Sequence, residues 1–244
     1  MRLSAEAWLM LLALALYVYD SVRLLASNEA VLVRGWRGRW HAGFGVQRWK
    51  LGAKEPYLAN LFTPHRPLFV LAWAFEEPAR ADASAAPLEV PKGIGRFGVF
   101  AWVSALCIFV LLPLGLFSTI GTAFTLSVVG LLYLNNLIAL GWVYAQRAAL
   151  HLSSAQWGSL AFECLSCPPF SINLVRRLCA RVPVGESFTA ATRRFLPDDG
   201  LAAVNRQCAA RLEEQIDSAP EGSAQMHALQ TAKAQFTEHI EEQA

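Results

Sequence analysis

Between Arg96 and Arg147 the chain has no Asp, Glu, Lys, Arg or His, so fifty consecutive residues, Phe97 to Gln146, carry no side chain charged near neutral pH. A helix on a soluble surface needs a polar face, and none can be drawn here. A membrane-spanning helix takes about 20 mostly apolar residues to cross roughly 30 Å of hydrocarbon, which leaves room for two crossings and a turn. The stretch therefore reads as a membrane hairpin, with arms at Gly98 to Phe117 and Thr122 to Ala145 and an uncharged turn at Ser118 to Gly121. The same absence argues against a proton- or ion-coupled path through these two spans.

Other features are scarce too. Charged residues make up only 16% of the chain, well under the roughly 25% of globular proteins. No phosphate-binding Gly-Lys-Ser/Thr loop, nucleophile elbow or zinc-protease helix occurs. Gly93-Ile-Gly-Arg-Phe-Gly98 has the glycine spacing of a dinucleotide turn, but it opens an apolar span and no acid follows about twenty residues on. There is no repeat at a solenoid period. Five cysteines, an odd number, do not make a secreted disulfide framework and fit a reducing compartment.

What is present is arranged asymmetrically. Ser21 to Phe97 holds eleven Lys/Arg against six Asp/Glu, whereas Pro197 to Ala244 holds three against nine. This makes a basic collar beside the membrane and an acidic tail. The apolar run inside Leu3 to Leu25 has the core of a signal peptide, but no small-x-small cleavage site follows closely. It leads instead into Tyr17-Val-Tyr-Asp20, an interfacial end, so a first crossing helix is expected over Ala5 to Leu25. Basic residues follow the first span, precede the second and follow the third. The expected topology is multi-pass in the cell membrane, with the N-terminus outside and the C-terminus cytoplasmic.

Expected domains are the first helix at 1–25, a small β-rich basic insertion at 26–76, a linker at 77–96, the hairpin at 97–147, a juxtamembrane helical segment at 148–196 and an acidic helical hairpin at 197–244. In the insertion, Trp36, Gly38, Trp40, Ala42 and Phe44 alternate with Arg37, Arg39, His41 and Gly43, the two-residue period of a strand. Val31 to Val33, Val46 to Leu51 and Leu68 to Phe75 are its expected neighbours. Ser153-Ser-Ala-Gln156 predicts a capping box, and Pro168-Pro169 the end of the helix it starts. Ser171 to Val182 reads as a basic amphipathic segment on the inner leaflet. In the tail Leu201, Val204, Cys208, Leu212 and Ile216 recur at helical spacing, as do Met226, Leu229, Phe236 and Ile240, and this narrow stripe calls for a partner surface in cis or in trans.

Three groups of side chains carry what chemistry the sequence suggests. Arg34, Arg37, Arg39, Arg48, Lys50 and Lys54, interleaved with Trp36, Trp40 and Trp49, are expected to form an anionic-lipid surface, with Arg34, Arg37, Arg39, Arg48, Lys50, Trp36 and Trp40 as its candidate contacts; nucleic acid is disfavoured by the neighbouring span. Asn135 and Asn136, midway along the third span, must turn toward another helix and so mark a packing face, within the chain or in an oligomer. Cys164 and Cys167 are the one metal- or redox-like spacing. They fall at a helix C-terminus, where the dipole opposes thiolate, and no second pair exists to complete a zinc site. No catalytic residue and no cofactor is expected, a metal at Cys164 and Cys167 being the alternative. The leading expectation is a three-span α-helical membrane protein acting as a non-enzymatic scaffold or adaptor for lipid and a protein partner. A metal- or thiol-dependent membrane protein and a lipid-responsive regulator are the alternatives.

Overall fold

The computed structural model describes residues 4–35, 38–73, 88, 90–91, 93–182, 184–218, 220, 223, 226–227 and 229–234. The chain is largely helical with a small amount of sheet. It divides into two units interleaved along the sequence: Met1–Leu24, Gly45–Phe69 and Glu89–Pro183 in the first, and Leu25–Phe44, Val70–Leu88 and Val184–Ala244 in the second.

The first unit holds the apolar helices. Helix α1 (Ala5–Ser21) starts at Ser4, whose Oγ accepts from the Ala7 N–H at 3.3 Å. It ends before the expected Leu25: Val22 turns extended and opens strand β1 (Val22–Ala26), which pairs with β4 (Lys54–Leu58). The stop has a tertiary cause, because Asp20 and Ser21 are buried and engaged by the side chain of Asn173. A short 3₁₀ turn (Ile94–Phe97) leads into α2 (Gly98–Leu106), a π turn (Cys107–Leu111) and α3 (Leu112–Phe117). The widened turn comes where Pro113 has no N–H to give, and Leu112 N–H reaches back five residues to the Cys107 carbonyl.

Helix α4 (Thr122–Ala145) returns after Gly121, whose φ of 101° no branched residue adopts readily. Its buried stripe is Val128, Leu132, Asn135, Asn136, Ala139, Leu140 and Val143, the three-and-four spacing of a single helix face. Tyr17, Cys107, Ile108, Val128, Leu132 and Ile172 form the core beneath it. Two helical stretches, Ile94–Phe117 and Thr122–Ala145, are each long and apolar enough to cross a membrane. α1, at 17 residues, is shorter than either.

The capping box at Ser153 and Gln156 forms as expected and starts α5 (Ser154–Ser166). α5 folds back along α4: Trp157 Nε1 donates to the Leu140 carbonyl at 3.1 Å and its ring packs against Tyr144. A 3₁₀ turn (Pro168–Asn173) and α6 (Leu174–Cys179) follow. The segment read as lying on the leaflet surface is instead an interior element. Ile172, Asn173, Leu174, Val175, Arg176, Leu178 and Cys179 are all buried.

In the second unit, β2 (Glu29–Arg34) is the centre of a three-stranded sheet, between β3 (Trp40–Gly43) and β5 (Leu68–Ala72). β2 and β3 run antiparallel, with Val31 opposite Gly43 and Arg34 opposite Trp40. Ala30, Val31 and Leu32 are fully buried, so β2 is covered on both faces. Residues 46–51 form turns rather than the expected strand, and the strand in that region is β4. Ser187 caps α7 (Phe188–Phe195), and α8 (Asp198–Ser218) follows. Of the expected stripe of α8, Leu201, Val204, Cys208 and Leu212 are buried in cis and Ile216 is half-buried. Phe236 and Ile240, and all of the linker except 88, 90–91 and 93–96, lie outside the described residues. Leu88 is nonetheless held within this unit. Its N–H donates to Glu186 at 2.7 Å and its carbonyl accepts from Arg194 at 2.6 Å.

Candidate functional site

The polar side chains of the first unit gather in two places. In the first, Asn135 Nδ2 donates to the Phe100 carbonyl at 3.1 Å and to Ser104 Oγ at 3.0 Å. Ser104 donates to Asn136 Oδ1 at 3.4 Å, and Asn136 Nδ2 reaches the Cys164 carbonyl at 3.3 Å. Ser171 Oγ lies 2.9 Å from Ser104 Oγ and 2.7 Å from the Pro168 carbonyl, its one proton serving one of them. The asparagine pair thus faces α2, α5 and the 3₁₀ turn of its own chain. All four side chains are buried, and the network contains neither an acid nor a base. Replacing Asn136 by Leu leaves the Cys164 carbonyl without this donor, a loss of about 1–2 kcal/mol. The expected result is a lower unfolding midpoint in detergent with an unchanged oligomeric mass; a change of mass without a change of midpoint would assign the pair to an interface between copies.

The second place is ionic and was not legible beforehand. Asp20 accepts Arg177 through two bonds, Nε to Oδ2 at 3.2 Å and Nη2 to Oδ1, and takes Asn173 Nδ2 at 2.9 Å. Arg177 also pairs with Glu163, which Arg181 Nη2 approaches at 2.8 Å. Burial pushes the Glu163 carboxyl up, but the bonds from Arg181 and Ser159 and the two arginine charges outweigh it and hold the group below its usual range. Arg176, 2% exposed, donates to Asn173 Oδ1 and to the Asn60 and Thr63 carbonyls, and burial lowers its pKa. Arg23 is lowered for the same reason. An acid at the end of an apolar helix implies a cation in the same unit; that general signal was available, but not which arginine answers it.

The expected lipid residues divide between the two units. Arg34 and Arg39, both exposed, and Trp40 belong to the second, where Trp40 packs on Phe195 with ring centroids 5.1 Å apart. Arg48 and Lys50, both exposed, belong to the first. Trp36 and Arg37 lie outside the described residues. His65 meets the helices directly: its ring packs on Trp102 at 5.4 Å, and a Cβ on Gly98 would stand 3.0 Å from the His65 Cβ.

Cys164 sits buried in the last turn of α5 and Cys167 half-buried at its end. Burial pushes the Cys164 thiol up to about 12, against a smaller opposite pull from Arg177, and burial also raises Cys167. Both shifts oppose the thiolate that metal binding or disulfide exchange requires. Among the described residues no three His, Cys, Asp or Glu side chains stand together as a metal site. No family model, no curated protein and no solved structure matches this chain.

Proposed function

We propose that the chain is an integral membrane scaffold: three apolar helices fix it in the bilayer, N-terminus outside, and a cytoplasmic unit presents a docking face to a protein partner. One observation carries the membrane reading. The apolar windows in Ile94–Phe117 and Thr122–Ala145 are only 28% and 33% buried, whereas the core helix of a soluble protein is mostly covered. Val99, Trp102, Leu106, Leu126, Leu134, Leu137 and Ile138 stand exposed along them, and Trp8, Leu9, Leu11 and Leu12 along α1. Ser104, Asn135 and Asn136, conversely, are buried and bonded within the chain, as hydrocarbon surroundings demand.

In this reading α5, the 3₁₀ turn and α6 re-enter the cytoplasmic leaflet. The irregular backbone at Pro168–Asn173 is acceptable there because protein surrounds it. The orientation rests on the basic residues flanking the spans. The scaffold reading draws on α8: its apolar stripe is used in cis, while Asp198, Asp199, Glu213, Glu214 and Asp217 lie exposed. A basic partner surface matches that face. The test is affinity capture from detergent with the whole protein and with Asp198→Asn/Asp199→Asn/Glu214→Gln/Asp217→Asn, which leaves the core of the unit intact. The expected result is loss of a salt-sensitive partner; an identical set of captured proteins would remove the acidic face as a docking element.

A further inference from the structure

We propose that the turn from Val46 to Lys54 is an interfacial anchor for an anionic leaflet, Trp49 and Leu51 entering the apolar boundary while Arg48, Lys50 and Lys54 hold lipid phosphates. It rests on the membrane reading above and moves the lipid contact from the whole basic stripe to one turn of the unit that carries the spans. Val46, Trp49 and Leu51 are 53%, 72% and 68% exposed, and the three cations beside them are exposed as well. No carboxylate occurs from Arg34 through Lys54, and the next one, Glu55, is buried. Tryptophan beside Arg and Lys matches the headgroup boundary, where an apolar ring, a polar N–H and a cation each find their own depth.

The turn is built in advance. Val46 N–H donates to the Pro56 carbonyl at 2.9 Å and Trp49 N–H to the Val46 carbonyl at 3.1 Å. Leu51 and Lys54 exchange backbone bonds of 2.8 and 3.3 Å across Gly52, whose φ of 65° suits a two-residue turn. Ordering it on a surface therefore costs little. Its chain neighbour is tied to the place where α1 ends: Ala59 N–H donates to the Ser21 carbonyl at 3.1 Å, and Tyr17 OH donates to the Leu61 carbonyl. Phe62, beside that contact, is 84% exposed and supplies a second aromatic side chain for the same boundary. Each cation near an anionic surface strengthens binding about five-fold.

The experiment uses full-length protein in nanodiscs of phosphatidylcholine and phosphatidylglycerol with brominated acyl chains, a probe that quenches only rings in the apolar region. The difference in emission between the protein and Trp49→Phe isolates Trp49. The expected result is that bromine removes more than half of the Trp49 emission and aqueous iodide little of it. In discs of phosphatidylcholine alone, or for Arg48→Gln/Lys50→Gln/Lys54→Gln in anionic discs, the bromine quenching falls at least two-fold. Trp49 emission indifferent to bromine overturns the anchor, whether iodide reaches it (the turn is in water) or does not (a protein covers it). The emission that remains in Trp49→Phe comes from the other seven tryptophans, of which Trp102 and Trp142 lie in the two long apolar helices. If bromine leaves that unchanged too, the membrane reading fails and the anchor with it; if only Trp49 escapes, the anchor alone fails.

Discussion

Replacing Asp20 by Ala is expected to lower the stability of the detergent-solubilised protein by about 3 kcal/mol, because it takes from Arg177, in a buried site, one of its two carboxylate partners. The side chains of Arg177 and Asp20 are 11% and 5% exposed, so water does little to repair the loss. Glu163 remains on the far side of Arg177, but it already accepts two bonds from Arg181 and one from Ser159. The bond from Asn173 to Asp20 disappears as well, although Asn173 retains Ser21 Oγ at 3.0 Å. The controlled comparison is Arg177→Met alone and the double change Asp20→Ala/Arg177→Met. Removing both charges should cost much less than the two single changes added together, since no unpaired ion is left. Denaturant unfolding followed by helical circular dichroism measures all three. Additive losses would mean that the pair contributes no interaction of its own.

The second large effect belongs to the other unit. Phe188, fully buried at the start of α7, meets Phe44 edge-on with centroids 5.7 Å apart, and Phe44 in turn stacks under Arg211 of α8 at 4.9 Å. Truncation to Ala removes the ring and leaves a cavity, for a loss of about 3–5 kcal/mol. Because the chain has two units, the readout should be local. Amide exchange in Glu29–Arg34 and Asp198–Ser218 is expected to accelerate by about two to four orders of magnitude. Exchange in α2 and α4 should stay as it was. Unaltered rates across β2 and α8 would show that the ring does not hold this unit together.

What the sequence disclosed, and what it withheld, follows from the range of the forces involved. The two long apolar helices, the capping box at Ser153 and most of the stripe of α8 are local patterns, set by residues three or four apart, and the structure has them in place. Asn135 and Asn136 announced a packing face because an amide cannot be left in hydrocarbon. Their partners, Ser104, Phe100 and Cys164, lie 28 to 35 residues away and carry no mark of the pairing.

The misread elements fail in a consistent way. Arg176 and Arg177 alternate with leucine and valine like a surface helix, yet their charges are answered by Asp20, Glu163 and the carbonyls of Asn60 and Thr63, the farthest 157 residues away. Periodicity reports that a face is polar; it does not report whether water or a buried acid lies against it. The end of α1 at Ser21 was hidden for the same reason, since Val22, Leu24 and Leu25 continue the apolar run around Arg23 and only β4 makes the segment a strand. Val46 to Leu51 has strand-forming residues but closes into turns through Gly52 and leaves Trp49 uncovered, which is why the lipid assignment narrows to that stretch.

The central claim is that the uncovered sides of Ile94–Phe117 and Thr122–Ala145 are covered by lipid. Alkaline carbonate extraction of membranes containing the full-length chain tests it most directly, because high pH strips proteins held by charge or by other proteins and leaves those whose helices lie in the bilayer. The account predicts that the protein stays in the membrane pellet. Recovery in the soluble fraction would contradict it.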